Sequence, residues 1–402
     1  MGMVRLAFTV LAPFACGYFL SYLFRAVNAV VAPDLVRDVG LSASELGLLT
    51  AAYLIAFALF QLPLGMLLDR FGPRRVQTVL LCCAAAGGLL FAIADDVVTL
   101  TFARALIGLG FAGGLMAGFK AVVLWLPKER MALANACVMS FGALGLVVAT
   151  QPTDMLVQVV GWRAMFVIIA AVTVAVAALI FAVVPERPGT GTVDSVREQL
   201  AGVGKVFRDR FFWRMAPLIT LTAGSHIAIQ TLWAGPWFRD VAGLPRDGVA
   251  DALLVVAVAF LVGTLLAGIV ADLLGRIGVD LLTVMLGGLF LYLLAEAAIV
   301  LELLAFSPVA WFVFGMTGQI GILAYPRLSQ HFGAALSGRA NTAMNLLIFA
   351  TAFGCQYVSG AIIDLWPGTA DGGYDTRGYQ VAFGTFLGLQ LLALIWYFLP
   401  RR

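Results

Sequence analysis

The sequence predicts an all-α integral membrane protein of twelve transmembrane helices in two pseudo-symmetric six-helix bundles. Three observations carry this. Hydrophobic residues make up 62% of the 402 residues and charged residues only 12%, against about 25% charged in a soluble domain. The apolar runs are near the ~20 residues that cross a bilayer as a helix, and they lack the alternation of a barrel strand. A short charged motif in the first half returns 203 residues later in the second.

The runs place spans 1 to 12 at 8–32, 45–68, 76–94, 98–125, 131–158, 163–184, 214–241, 247–271, 280–304, 308–330, 338–365 and 378–399. The first continues past Arg25 to Val31, too long for a signal-peptide core and without a small-x-small cleavage site, so it is expected to be retained. The organisation expected is an N-terminal bundle over 1–184, a linker over 185–213 and a C-terminal bundle over 214–402. The linker opens Pro185-Glu-Arg-Pro-Gly, a loop signal. Val196, Leu200, Val203 and Phe207 then recur at helical spacing with Arg197, Lys205 and Arg208 between them, which predicts an amphipathic helix on the membrane surface.

Charge sets the orientation. Of the 25 lysines and arginines, 17 fall on the side of the N-terminus and 5 on the other, while Arg25, Arg104 and Lys120 lie within spans. The positive-inside rule then puts both termini in the cytoplasm. Short loops rich in glycine and alanine suggest a bacterial inner membrane. The net charge of +3 comes without basic runs, which argues against nucleic acid as a partner. The cysteines Cys16, Cys82, Cys83, Cys137 and Cys355 all lie in apolar runs without metal-ligand spacing. No phosphate-cradling loop, nucleophile–base pair or metal cluster stands out, so an enzyme, ATP-driven transport and a bound cofactor are not expected. The lipid bilayer is the expected surrounding and a monomer the expected state.

The motif is Gly65-Met-Leu-Leu-Asp69-Arg70-Phe-Gly72-Pro-Arg74-Arg75, and its echo is Gly268-Ile-Val-Ala-Asp272-Leu-Leu-Gly275-Arg276. The stretch from Pro33 to Leu41 is echoed by Pro236 to Leu244 at the same offset. This motif resembles the cytoplasmic loop between helices 2 and 3 of the major facilitator superfamily. The resemblance covers essentially the whole chain and implies parallel repeats related by an axis along the membrane normal, a cavity between the halves and transport by alternating access. It further implies a gate at Gly65, Asp69, Arg70, Gly72 and Arg74, with Asp69 facing the start of helix 11 near Ser337-Gly338-Arg339. Free N–H groups there attract a carboxylate. Asp272 and Arg276 are the pseudo-symmetric counterpart, with Asp272 facing the start of helix 5. The plainer reading is that these bases only set topology.

Arg25 shares a helical face with Tyr18, Ser21, Tyr22 and Asn28, and an arginine inside a span faces a cavity or a partner. Tyr22-Leu-Phe-Arg25 followed by Pro33-Asp-Leu35 resembles the first helix of the organophosphate:phosphate antiporter branch, which implies that Arg25 holds an anion. The second arginine of that branch, in helix 7, is absent. That helix offers Thr222, His226, Gln230, Trp233 and Trp237 instead, which favours a monocarboxylate, a zwitterion or a larger amphipathic anion over a doubly charged phosphate ester. Gln319 in span 10, and Asn345 and Gln356 in span 11, are further cavity candidates. Proton-coupling candidates are His226, the one histidine within a span, Arg104 and Glu296. Arg104 opens Arg104-Ala-Leu-Ile-Gly108-Leu-Gly110, which resembles the helix 4 motif of the superfamily, where the arginine is linked to proton transfer; a structural role is equally open. Glu296 is either protonated or paired, and Lys120 either snorkels or lines the cavity.

The function expected is secondary active transport of a small organic anion or zwitterion, coupled to protons. The alternative is a drug or metabolite efflux antiporter, which would depend little on Arg25. A third reading is a non-transporting receptor or assembly factor on the same fold.

Overall fold

The computed structural model describes residues 6–126, 128–186, 196–369 and 372–399, and in these it is helical throughout, without strands. Arg5, Arg187, Arg401 and Arg402, used above for orientation, and most of the expected loop opening after Glu186 lie outside the described residues. Ten helical segments among the described residues are long and apolar enough to cross a membrane. The other two expected spans, 131–158 and 214–241, are helices interrupted by a break. Many large apolar side chains face outward on the long helices, among them Phe102, Leu265, Phe290 and Leu392, where lipid is their solvent.

The helices used below are α1 Ala12–Ala26, α2 Asn28–Val39, α3 Ala43–Ile93, α4 Val97–Phe111, α5 Gly114–Trp125, α6 Lys128–Val148, α7 Gln151–Val183, α8 Val196–Phe207, α9 Arg210–Ala228, α10 Ala234–Asp240, α11 Arg246–Arg276, α12 Leu281–Val300, α13 Ser307–Thr317, α14 Tyr325–Ile363 and α15 Thr376–Phe398. The chain packs as two compact units. One takes in residues 1–39 and 52–196, the other 40–51 and 197–402.

Prolines and glycines explain several of the breaks. A π-turn at Ala7–Leu11 precedes Pro13, and another at Ile229–Trp233 precedes Pro236. Proline lacks an N–H and crowds the carbonyl four residues back, and a widened turn relieves both. In α3 the chain reverses at Gly72, whose φ of 77° is natural only for glycine. Gly161 in α7 and Gly333 in α14 turn the chain in the same way, with φ of 79° and 65°.

The repeat is visible in the backbone. Gly40 and Gly243, 203 residues apart in the sequence, both adopt positive φ, at 75° and 66°. The counterpart of Gly72 is displaced. The echo aligns Gly275, but the turn falls at Gly278, with φ of 87°. Each glycine at the first turn follows an acid that accepts a bond from an aromatic donor. Asp38 accepts from the Trp162 indole at 2.9 Å. Asp240 accepts from the Tyr379 hydroxyl at 2.7 Å. The Trp162 N–H, with Arg37 beside it, holds the Asp38 carboxyl below the usual carboxylate range.

Within the first unit, glycines let helices touch backbone to backbone. A Cβ on Gly108 would stand 2.2 Å from the Tyr53 carbonyl oxygen, and one on Gly145 would stand 2.1 Å from that of Phe19. Small residues serve this purpose in membrane bundles because close packing replaces the hydrophobic effect. In the second unit, Gly263 meets the Met316 carbonyl at 1.8 Å by the same measure, and Gly360 meets that of Ala43 at 2.3 Å. The Asp364 carboxylate there accepts the backbone N–H groups of Ala43 and Ser44 at 3.0 and 2.8 Å, capping the start of α3. The linker helix is present as α8, with Val203 and Val206 buried and Gly202 against the Arg339 side chain.

Gly108→Ala is expected to destabilise the protein by about 1–3 kcal/mol, the cost of overpacking a close crossing. Gly287→Ala, at a position with open space around it, is expected to be neutral or slightly stabilising, since alanine is the better helix former. Thermal unfolding of the two purified variants checks this, and equal melting temperatures would contradict it.

Candidate functional site

The first unit holds an arginine in an aromatic setting. α1 ends just past Arg25 and α2 begins at Asn28, five residues before Pro33, whose missing N–H weakens the first turns of that helix. The spacing puts Tyr18, Ser21, Tyr22, Arg25 and Asn28 along one side. Arg25 is 7% exposed, and its guanidinium carbon lies 4.7 Å from the centroid of the Tyr22 ring, 5.2 Å from Phe57 and 6.0 Å from Tyr53. Such contacts are each worth about 0.5–2 kcal/mol. Tyr18 and Tyr22 meet edge to face at 5.2 Å, and Gly142 leaves room for the Tyr18 ring. Asn28 is fully buried.

Arg104, on α4, is fully buried beside this group. Its Nη1 donates to the Phe24 carbonyl at 2.9 Å, and its guanidinium lies 5.4 Å from the centroid of the same Tyr53 ring. Tyr53 in turn donates to the Ser21 carbonyl at 3.2 Å. Tyr53 and Phe57 were not foreseen as site residues. Their signal was available: Tyr53, Phe57 and Gln61 recur every four residues, on one face of span 2.

In the second unit the candidates divide into separate groups. His226 is fully buried among rings, with centroid distances of 4.8 Å to Phe314, 5.9 Å to Tyr292 and 6.0 Å to Phe260. Gly318 is what makes room, since a Cβ there would stand 2.1 Å from the imidazole. Trp233 donates from its indole to the Gln356 carbonyl at 3.0 Å, and the Gln356 amide donates to Thr231 at 3.3 Å. Gln230 lies in the π-turn between them, 7% exposed. Gln319 and Asn345 are half-buried, in the turn after α13 and in α14. Glu296, on α12, is fully buried and bonded to Gln390 of α15 at 3.3 Å.

The charged turn forms ion pairs within the first unit. Asp69 pairs with Lys120 at 2.6 Å, both about one-third exposed. Arg74 and Arg75 share Glu186, Arg74 at 3.8 Å. Arg70 lies 5.1 Å from the Phe71 ring centroid. Gly65 has no described atom within 4 Å of where a Cβ would stand. In the second unit, Asp272 and Arg276 form an exposed pair one turn apart at 2.7 Å. The partnership of Asp69 with Lys120, 51 residues away, was not anticipated; an acid and an intramembrane base were legible separately, but not as a pair.

Comparison with known proteins gives the family. The profile of the Major Facilitator Superfamily matches residues 14–354. Among curated relatives, a probable sulfoacetate transporter of Cupriavidus necator is 26% identical over 269 residues, 63% of this chain and 62% of that protein. A D-galactonate transporter of Escherichia coli is 26% identical over 288 residues, 65% of this chain and 66% of the relative. The matches thus span less than two thirds of the length of these relatives. Among solved structures, a bacterial homologue of the human lysosomal transporter Spinster, in an inward-facing and unoccupied conformation, superposes with a TM-score of 0.75 at 17% identity, covering 99% of this chain and 97% of that one. A D-xylose–proton symporter superposes with a TM-score of 0.74 at 17% identity, covering 98% of both chains. The chain is a multi-pass membrane protein with the twelve-helix transporter fold, and it belongs to the Major Facilitator Superfamily.

Proposed function

We propose that this chain is a proton-coupled secondary transporter of a small organic anion or zwitterion, working by alternating access. Its halves are the bundles at 1–184 and 214–402, joined by the linker at 185–213. It sits as a monomer in a bacterial inner membrane with both termini cytoplasmic, the side on which most of its bases fall.

The observation that carries the substrate class is Arg25. A guanidinium held inside a span costs several kcal/mol of desolvation, and such residues mark pathways and ligand sites. Three rings surround it, and a second arginine stands beyond one of them. This positive, aromatic-walled setting suits a carboxylate or sulfonate with a modest organic body. The names of the relatives point the same way, since sulfoacetate and D-galactonate are organic anions. In this reading Tyr18, Tyr22 and Asn28 contact the substrate with Arg25, while Gln230, Trp233, Gln319, Asn345 and Gln356 serve it from the second half. His226, enclosed by rings, acts through the position of helix 7. Asp69 and its neighbours Gly65, Arg70, Gly72 and Arg74 form the cytoplasmic gate, with Asp272 and Arg276 as their repeat.

A thermal-shift panel of D-galactonate, sulfoacetate, a sugar phosphate and a lipophilic cation tests the substrate class. A ligand at 100 times its Kd stabilises the folded protein by about 2.7 kcal/mol. We expect a carboxylate or sulfonate to raise the melting temperature, Arg25→Ala to abolish the shift, and Arg25→Lys to weaken binding by about tenfold, since lysine lacks the planar fork. Stabilisation by the cation alone, unchanged in Arg25→Ala, would contradict the reading.

For the gate, Asp69→Asn is expected to stop uptake while leaving the fold intact. The Lys120 pair is partly exposed, so its loss costs at most about 1 kcal/mol. Normal uptake by this variant, with a normal elution profile, would remove Asp69 from the gate.

A further inference from the structure

Glu296 lies in the interior of α12 with no exposed surface. One oxygen accepts from the Gln390 amide at 3.3 Å, and the other has no hydrogen-bond partner among the described residues. The same amide donates to Ser225 at 2.8 Å, and Ser225 shares a hydrogen bond of 3.2 Å with the Tyr292 hydroxyl. Helices α9, α12 and α15 therefore converge on Ser225, Tyr292, Glu296 and Gln390, all fully buried. The titratable groups around the carboxyl are Tyr292 on its own helix, Cys355 from α14 and, beyond Tyr292, His226 from α9. Among the described residues no lysine or arginine is recorded against it: those of the second half, from Arg214 to Arg377, lie near helix ends or, for Arg339, near the break at Gly333. An ionised carboxylate is strongly disfavoured where it is enclosed without a cation.

We propose that Glu296 is the group that binds and releases the coupled proton, and that its release is tied to movement of α9 through Ser225. This rests on the proton-coupled reading above. Release leaves a carboxylate and hands the proton to water, so water must first reach a site that has no exposed surface in this packing. The segment most able to admit it is α9. Ser225 is its contribution to the cluster, and the π-turn at Ile229–Trp233, a natural place to bend, follows four residues later. The same stretch carries His226, Gln230 and Trp233, so an α9 that moves with the substrate also opens or closes Glu296. The Gln390 amide stays as a donor to the carboxylate left behind.

Two measurements on purified full-length protein test this. Infrared spectra at neutral pH should show the C=O stretch of a carboxylic acid that is absent in Glu296→Gln and shifted in Gln390→Leu, which removes its donor. In proteoliposomes, a pH gradient of about one unit supports about tenfold accumulation per coupled proton. Glu296→Gln, which keeps size and hydrogen bonding, should lose that accumulation of D-galactonate or sulfoacetate while still exchanging labelled for unlabelled anion, and Glu296→Asp should restore part of it. Identical infrared spectra for wild type and Glu296→Gln, or full gradient-driven accumulation in that variant, would overturn the proposal. Wild-type protein that exchanges anion but never accumulates it on a gradient would instead overturn the proton-coupled reading itself, and the infrared band would then mark Glu296 as a buried acid without a transport role.

Discussion

A bilayer interior offers no water to solvate a charge, and this constraint governs the rest of the molecule. Charged residues are 12% of the chain, and the bases of the second half stay near helix ends or, for Arg339, near the break at Gly333. Among the exceptions, three are housed as follows. Arg25 lies among the rings of Tyr22, Tyr53 and Phe57. Arg104 bonds the backbone of Phe24. Glu296 is tied to Gln390. A protein that needed only to fold would replace these with apolar residues at little loss, because a buried charge is weak evidence of stability. The proposed cargo would account for their presence: an anion for Arg25 and a proton for Glu296.

The same constraint shapes the backbone. Helices must satisfy their own N–H and C=O groups in lipid, so irregular turns concentrate where proline and glycine stand, with Glu302, at φ 52° beyond the end of α12, a non-glycine exception. The π-turns stand upstream of Pro13 and Pro236, in the first helix of each half. Those are the helices that carry Arg25 and His226. The breaks therefore fall in the helices that carry the candidate side chains, while the crossings at Gly108 and Gly263 keep the surrounding helices close.

Much of this was legible in the sequence because hydropathy and charge contrast sharply in a membrane chain. The spans, the charged turn at Asp69, the linker helix at Val196–Phe207 and the repeat offset all follow from where apolar runs stop. What stayed hidden were relations between distant segments. Tyr53 and Phe57 look like ordinary members of an apolar run until Arg25 is placed beside them. Lys120 was seen as a lone base, and its acid lies two spans away. The turn glycine of the second half is Gly278, because the motif echo constrains residue types and not the register of the loop that closes it. His226 stood out in the sequence as a substrate and proton-coupling candidate, and its enclosure by Gly318 and three rings came only with the structure. One helix alone does not tell which neighbour a side chain will meet.

The central claim is that the buried guanidinium of Arg25 selects for negative charge on the cargo. The most direct measurement is competition in anion exchange by proteoliposomes that contain only this protein. Labelled D-galactonate or sulfoacetate would be chased with D-galactonate, sulfoacetate and D-galactose, the last an uncharged molecule close in size to the first. The account predicts that the charged compounds compete and the neutral sugar does not. Equal competition by D-galactose would mean that the site reads shape alone, and the assignment of Arg25 would fall.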